Sequence, residues 1–202
     1  MNPKKFPPSK LPQPITEAQF LQKSGQSIGK PLNYAPWYRE IAERLPDGAV
    51  VVEVGVYKGR SADYLVDRMR EAKKTFAIHL VDVMTLPFVM KHVTKLRKTC
   101  AFHPCESVKA AARFANHSVD FVWIDADHSY DGVCADIAAW LPKVKPGGVI
   151  AGHDYYDDPA KNNFVQSAID ELFPDARTEH KSWWVEVDEN TATTTLQKMA
   201  AS

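Results

Sequence analysis

Short runs of β-branched and aromatic residues alternate along this chain with helix-length segments, and this alternation restricts the fold more than any other feature. The predicted strands are residues 49–54 (AVVVEV), 75–81 (TFAIHLV), 99–103, 118–124 (SVDFVWI), 149–152 and 181–187 (KSWWVEV). The predicted helices, which have helical apolar spacing, are residues 34–45, 61–72, 87–98, 107–115, 131–141 and 163–173. Such alternation is typical of βαβ units, so we predict an α/β fold with a doubly wound, mostly parallel sheet.

Length and composition indicate one domain of ordinary size. The chain has 202 residues, enough to bury a full core. We assign residues 34–202 to this domain. The Pro- and Lys-rich residues 1–33 are expected to form an N-terminal arm that acts as a lid over a pocket.

Charge and apolar content restrict the partners. Lys and Arg together number 25, as do Asp and Glu, so the formal net charge is zero. A neutral chain is a poor sequence-independent binder of nucleic acid, which requires excess cation. We therefore expect a small-molecule substrate, no nucleic acid and no membrane, and a homodimer stays open.

Cysteine usage and the N-terminus favour a cytoplasmic protein. Cys100, Cys105 and Cys134 show no CxxC spacing and are interpreted as reduced thiols. No run approaches the roughly 18 apolar residues of a membrane-spanning helix. Residues 1–13 contain prolines and lysines but no apolar core of a secretory signal.

The first candidate motif is EVGVYKGRS, residues 53–61, between a predicted strand and a predicted helix. Gly55 and Gly59 allow a tight turn close to a ligand, and the helix beginning near Ser61 offers free N–H groups. Glu53 lies at the strand end, close to where a bound cation or ammonium group would be. The G-x-x-x-G spacing lacks the middle glycine of dinucleotide-binding proteins. The alternative is an ordinary strand–turn–helix corner.

Asp82 is the second candidate, because it ends the next predicted strand beside the glycine loop. A carboxylate there can accept hydrogen bonds from both hydroxyls of a ribose. The alternative is a surface acid with no ligand.

Acids and histidines follow the fourth and fifth predicted strands. Because neighbouring strands lie about 5 Å apart, Asp125 and Asp154 can share a divalent cation, with Asp127 or His153 as a further ligand. Oxygen ligands suit Mg²⁺, Ca²⁺ or Mn²⁺, and a histidine shifts the preference towards Mn²⁺, Fe²⁺, Co²⁺ or Zn²⁺. His128, three residues past Asp125, is a candidate general base.

Three structural alternatives apply to these residues. Asp125 would contact cofactor only, Asp127 would cap the following helix, and His128 would be an ordinary hydrogen-bonded histidine. Four nearby aromatic side chains are candidate walls of a substrate pocket, with a core position favoured for one of the two tryptophans: Tyr155, Tyr156, Trp183 and Trp184.

Residues 50–187 resemble class I S-adenosylmethionine (SAM)-dependent methyltransferases, especially a small bacterial group with Asp-His-Ser-Tyr after strand four. The matching segments are VVEVGVYKGRSADYL, HLVDV, SVDFVWIDADHSYDGV, LPKVKPGGVIAGHDY and SWWVEV. The resemblance implies a Rossmann-like seven-stranded sheet with an antiparallel last strand. It also implies cofactor contacts: Glu53, Gly55 and Gly59 around the methionine part of SAM, Asp82 at the ribose, and Glu106 and Ser107 against adenine.

The chain is also similar to metal-dependent catechol and caffeoyl-CoA O-methyltransferases. That similarity makes Asp125 a metal ligand, as well as a cofactor neighbour, and places His128 where the catechol type has a catalytic lysine. His153-Asp154 replaces the Glu-Asp pair of these families, or Asp154-Tyr155 replaces their Asp-Asn pair, so one ligand is altered.

These features predict an enzyme that transfers a methyl group from SAM to an oxygen nucleophile on a small molecule. Asp125 positions the substrate, with Mg²⁺ or Mn²⁺ as the candidate metal, and His128 takes the proton. Two alternatives stay open: a nicotinamide-dependent oxidoreductase, and a degenerate SAM-fold protein that binds ligand without turnover.

Overall fold

The computed structural model describes residues 35–84 and 100–201. In chain order its strands are β1 (Ala49–Val54), β2 (Phe76–Val81), β3 (Cys100–His103), β4 (Val119–Ile124), β5 (Val144–Gly152), β6 (Asp157–Asp158), β7 (Asn163–Phe164), β8 (Arg177–Glu179) and β9 (Ser182–Glu186). Its helices are α1 (Ala35–Arg44), α2 (Arg60–Glu71), α3 (Ser107–Ala111), α4 (Tyr130–Trp140), α5 (Val165–Leu172) and α6 (Thr191–Ala201).

Seven of the strands form one sheet in the order β3-β2-β1-β4-β5-β9-β8, while β6 and β7 pair separately. Strands β1 to β5 pair with one another in parallel, whereas β9 runs antiparallel to both β5 and β8. The predicted α/β fold with a mostly parallel, seven-stranded sheet and antiparallel last strands is confirmed.

Several elements differ from the prediction. β8 was not predicted, because its three residues are polar and exposed. The hairpin β6–β7 and the threonine-rich helix α6 were also missed, and α3 is shorter than expected. The predicted arm at residues 1–33 and the predicted helix at residues 87–98 lie outside the described residues.

The sheet separates two cores because side chains alternate across it. On β4, Phe121 and Trp123 face one core, whereas Val122 and Ile124 face the other. Helices α1 and α2 cover the first core, and α3, α4 and α5 cover the second. Burying each large apolar side chain contributes roughly 1.5–3 kcal/mol, so both faces of the sheet stabilise the fold.

β5 begins earlier than predicted. The strand predicted at residues 149–152 starts instead at Val144, and its pairing with β4 shifts beside Asp120. The Asp120 carboxylate fills this irregularity. It accepts hydrogen bonds from Lys145 Nζ at 2.8 Å and from the Val50 amide at 2.8 Å. Asp120 therefore supports the amino-terminal edge of the sheet, away from the predicted site.

No helix among the described residues is both long and apolar enough to span a membrane. All three cysteines lie in the described part of the chain, and none is in a disulfide.

Gly55 allows the loops after β1 and β4 to touch. Its φ is 87°, in the left-handed region, and an added Cβ would lie 2.0 Å from the Asp125 carbonyl oxygen. Neither the backbone conformation nor the space admits a side chain. This glycine therefore sets the distance between the glycine loop and the residues that follow β4.

We expect Gly55→Ala to lower the free energy of unfolding by about 3 kcal/mol or more, because a methyl group would overlap backbone atoms that cannot move independently. Gly48→Ala is the matched control. Gly48 has a φ of 76° but nothing within 4 Å of the added Cβ. Its substitution carries only the conformational cost of about 1 kcal/mol. Urea unfolding of both variants measures the difference, and equal losses would contradict the overlap.

Candidate active site

The carboxyl ends of β1, β4 and β5 bring the predicted acids together. The Asp125 amide donates to the Val54 carbonyl at 2.8 Å, and the His153 amide donates to the Ile124 carbonyl at 3.1 Å. These bonds continue the strand pairing by one residue, so the side chains after the strands extend into a common region. The predicted juxtaposition of Asp125 and Asp154 is therefore present.

His128 lies between these two acids. Its Nε2 is 3.3 Å from Asp125 Oδ1, and its Nδ1 is 3.5 Å from Asp154 Oδ2. One ligand atom from each of the three residues lies within 4.8 Å of the others. The sequence predicted a histidine near the acids but not that both of its ring nitrogens would face carboxylates.

His153 is also close to both acids. Its Nδ1 lies 3.3 Å from Asp154 Oδ1 and 4.0 Å from Asp125 Oδ1. Asp154 has a φ of 53°, an uncommon conformation for a residue with a side chain. Asp125 and Asp154 are therefore flanked by two histidines, either of which could add a nitrogen ligand.

Asp127 has a structural contact next to the helix, but it is not the helix cap that was its alternative role. Its Oδ1 accepts a hydrogen bond from the Ser129 amide at 2.9 Å, and Ser129 in turn caps α4 by accepting from the Gly132 amide at 3.1 Å. Asp125 and Asp127 therefore differ in role, and Asp125 is the one in contact with His128.

The charges of the cluster affect His128. Burial favours the neutral imidazole, but the hydrogen bond to Asp125 and the negative charges of Asp125, Asp154 and Asp127 outweigh it and raise the pKa of His128. In the described structure the acids thus stabilise a positive charge at the imidazole.

Glu53 is the most deeply buried acid at this edge, with 2% of its surface exposed. It accepts a hydrogen bond from the Ser61 hydroxyl at 2.5 Å. Burial raises the pKa of Glu53 to about 8, and the charges of Asp125, Asp82 and Asp63 add to the shift. The sequence predicted Ser61 only as a helix start with free N–H groups, whereas its hydroxyl also holds Glu53.

Asp82 is bonded to the glycine loop. Its Oδ2 accepts from the amides of Val56 and Tyr57, at 2.8 and 3.1 Å, and its Oδ1 accepts from the Met84 amide at 2.8 Å. The carboxylate thus fixes the loop that Gly55 and Gly59 allow to turn. Oδ2 already accepts two bonds, whereas Oδ1 has room for one more donor, so contact between Oδ1 and one ribose hydroxyl is compatible with these bonds.

Glu106 and Ser107 begin α3, just beyond β3. Glu106 forms an ion pair with Lys109 at 2.9 Å and its side chain is half-exposed. The Ser107 hydroxyl accepts a hydrogen bond from Trp140 Nε1 at 2.9 Å. The structure therefore turns Ser107 towards α4, whereas Glu106 faces solvent.

Three exposed apolar side chains lie at this same edge of the sheet and were not singled out from the sequence. Among the described residues, the large hydrophobic side chains with the highest exposure are Tyr57 (39%), Val83 (53%) and Val108 (50%). They follow β1, β2 and β3 respectively. Their only sequence signal is their position just after strands. Exposed apolar groups gathered at a ligand-binding edge can cover an apolar part of a ligand.

The two tryptophans of β9 are core residues. Trp183 and Trp184 pack into opposite cores and are 1% and 4% exposed, so the core position that the sequence favoured for one tryptophan holds for both. β9 lies inside the sheet, where both of its faces are covered. Tyr155 and Tyr156 are half-buried, and Lys181 Nζ lies 4.6 Å from the Tyr156 ring centre. These tyrosines follow Asp154 and stay candidates for the acceptor side.

Residues 52–155 match a family of proteins described as "Methyltransferase domain". The match covers just over half of the chain and contains the glycine loop, Asp82 and the Asp–His cluster. No curated protein sequence is significantly similar to the chain.

Solved structures share the fold at low sequence identity. A Corynebacterium glutamicum protein is 13% identical with a TM-score of 0.61, covering 86% of this chain and 91% of that one. The methyltransferase MycE of mycinamycin biosynthesis, solved with Mg, SAH and mycinamycin VI, is 19% identical with a TM-score of 0.58. That alignment covers 85% of this chain but only 54% of MycE.

A third structure is the Burkholderia thailandensis 1,6-didemethyltoxoflavin-N1-methyltransferase, solved with its substrate and S-adenosylhomocysteine (SAH). It is 14% identical with a TM-score of 0.52, covering 95% of this chain and 81% of that one. At these identities the similarity shows a common fold.

The raised pKa of Glu53 predicts how stability depends on pH. In the unfolded chain Glu53 ionises near its ordinary value of 4.5, whereas in the folded protein it does so near 8. The stability that Glu53 contributes is therefore fully present below its unfolded-state pKa and is lost as pH rises through its folded-state pKa. We expect Glu53→Gln to gain on the order of 2 kcal/mol relative to wild type between about pH 5 and pH 8.5.

Urea unfolding across this pH range checks the prediction. Glu71→Gln is the control, because Glu71 is an exposed acid paired with Arg68 and its change should leave the pH profile parallel to wild type. Parallel profiles for Glu53→Gln and wild type would show that Glu53 ionises normally in the folded protein.

Proposed function

The chain belongs to this methyltransferase-domain family, and we propose that it transfers the methyl group of SAM to a hydroxyl oxygen of a small molecule. The observation that carries the choice of an oxygen acceptor is the position of His128 between Asp125 and Asp154. An imidazole oriented by two carboxylates is suited to accept the proton that a hydroxyl must lose. A neutral net charge favours a small molecule over nucleic acid.

The glycine-loop side of the site fits SAM. SAM carries a sulfonium and an ammonium group, and the buried Glu53 carboxylate would be stabilised in its ionised form by a nearby cation. Asp82 holds the loop, and its Oδ1 can also accept a hydrogen bond from a ribose hydroxyl. Tyr57, Val83 and Val108 offer exposed apolar surface to the nucleoside. We assign Gly55 and Gly59 to the backbone that surrounds the methionine part.

The proposed reaction is an in-line displacement at the sulfonium methyl. The acceptor oxygen forms a bond to the methyl carbon as the carbon–sulfur bond breaks, and SAH leaves as a neutral thioether. The hydroxyl proton passes to His128. Asp125 and Asp154 hold the imidazole and stabilise its charge after it accepts the proton. The protein mainly aligns the two reactants, since orientation supplies much of the rate enhancement in such reactions.

The same side chains fit a divalent cation. Asp125, Asp154 and one histidine provide two oxygen ligands and one nitrogen ligand, a set that suits Mn²⁺ as well as Mg²⁺. When bound, such a cation would lower the pKa of an acceptor hydroxyl. The structural similarity to MycE, which was solved with Mg, supports this assignment. We propose His153 as the nitrogen ligand and His128 as the base.

SAM binding should release protons. At about pH 7.5 much of Glu53 is protonated in the free protein, and a cationic ligand beside it favours the ionised form. We expect calorimetry in phosphate and in Tris, whose ionisation enthalpies differ, to give different apparent enthalpies for SAM. Glu53→Gln should remove the difference. If SAM fails to bind and NADH binds, the oxidoreductase alternative would replace the proposal.

Substituting each histidine separately tests the two roles. We expect His153→Ala to weaken Mn²⁺ binding by about 10- to 100-fold. His128→Ala should retain Mn²⁺ binding but lower kcat with a catechol acceptor by about 10²- to 10⁴-fold. Calorimetry with Mn²⁺ and methyl-transfer assays with and without EDTA measure these effects. The reverse pattern would exchange the roles, and full activity of His128→Ala would exclude His128 as the base.

A further inference from the structure

Helix α4 contains a buried carboxylate that the proposed mechanism does not use. Asp136 lies in the middle of α4 and is 5% exposed. It shares the helix with the apolar Val133, Ile137 and Trp140, which are also buried. Burial raises the pKa of Asp136 to about 6, and a hydrogen bond from Ser107 partly offsets this shift. An acid in such surroundings is costly, so its contact with Ser107 needs a reason.

Ser107 connects Asp136 to the cofactor side of the sheet. It is the first residue of α3, directly after Glu106 and one residue before the exposed Val108. A hydroxyl has one proton to donate and two lone pairs to accept with. Ser107 directs its proton to Asp136 and accepts from Trp140 Nε1 at 2.9 Å. It therefore has no proton left for a ligand, and its hydroxyl joins α3 to α4.

A purely stabilising role does not explain this arrangement well. Well-packed apolar side chains at the three positions would avoid the cost of burying a carboxylate, a hydroxyl and an indole N–H. Directional bonds, in contrast, fix an orientation that apolar packing leaves less defined. The element they fix is the first turn of α3, a five-residue helix.

We propose that Asp136 and Trp140 are positioning residues for the cofactor. They hold Ser107, and through it they hold Glu106 and Val108 in place against the adenine of SAM. This inference rests on the proposed function, since it requires that SAM binds at this edge of the sheet. It replaces direct adenine contact by the Ser107 hydroxyl with an indirect role.

Affinity for SAH, measured by calorimetry well below the unfolding temperature, tests the inference. We expect Asp136→Ala, Ser107→Ala and Trp140→Phe each to weaken SAH binding by about tenfold, because each removes one bond of the connection. Asp136→Asn keeps an acceptor for the Ser107 hydroxyl and should recover affinity to within about threefold of wild type. Asp136→Ala combined with Ser107→Ala should be no weaker than Ser107→Ala alone, since both act through one contact.

The matched control is Asp120→Asn. Asp120 is another buried acid, 7% exposed, but it supports the opposite edge of the sheet. The Asp120→Asn substitution should lower the unfolding temperature and leave SAH affinity unchanged. Unchanged SAH affinity in Ser107→Ala and Trp140→Phe, with wild type binding SAH, would overturn this inference and leave the proposed function intact. Absence of SAH binding by wild type would overturn both.

Discussion

The backbone contact between Gly55 and Asp125 is the constraint on which the site depends. Without a Cβ at residue 55, the loop after β1 lies directly against the residue that follows β4. Glu53, at the end of β1, and Asp125 are thereby held near each other, and Asp82 and Asp154 extend the row of acids to the neighbouring strands. Burial raises the pKa of Glu53, and the negative charges of the neighbouring strand ends add to that shift. An edge built this way favours cationic ligands, which is the electrostatic character that a sulfonium donor requires.

The sequence predicted those parts of the fold that depend on strong local patterns. The continuous apolar runs of β1 and β4 are buried on both faces, so these strands could be located without the structure. β8 and α6 have no such runs, because their residues are largely polar and their places are set by pairing with β9 and by packing on α5. Trp183 and Trp184 are both buried because residues on each side of the sheet cover them: Trp184 packs against Trp37 of α1, and Trp183 packs against Phe173 after α5.

The candidate site was predictable in its backbone positions but not in its side-chain contacts. Strand ends placed Asp125 and Asp154 together, because that follows from sheet geometry. Whether Asp125 or Asp127 would face the site depended on which one bonded to the Ser129 amide, a local choice that both residues could have made. Likewise, His128 reaches Asp154 across a loop whose path residue types do not specify. Ser107 illustrates the same limit, since its hydroxyl is directed by Trp140, which lies 33 residues later.

Helix α4 relates the two halves of the site to each other. Its amino-terminal end is fixed by Ser129 directly after His128, and Asp136 and Trp140 further along it contact Ser107, the first residue of α3. A shift of α4 would therefore move the proposed proton acceptor and the proposed adenine contact together. Methyl transfer needs the donor carbon and the acceptor oxygen to be closely aligned, because misalignment lowers the reaction rate. A single rigid helix that sets both positions reduces the number of independent motions that could disturb that alignment. This explains why polar bonds, which define orientation, are placed along α4 where apolar packing alone would have been sufficient for stability.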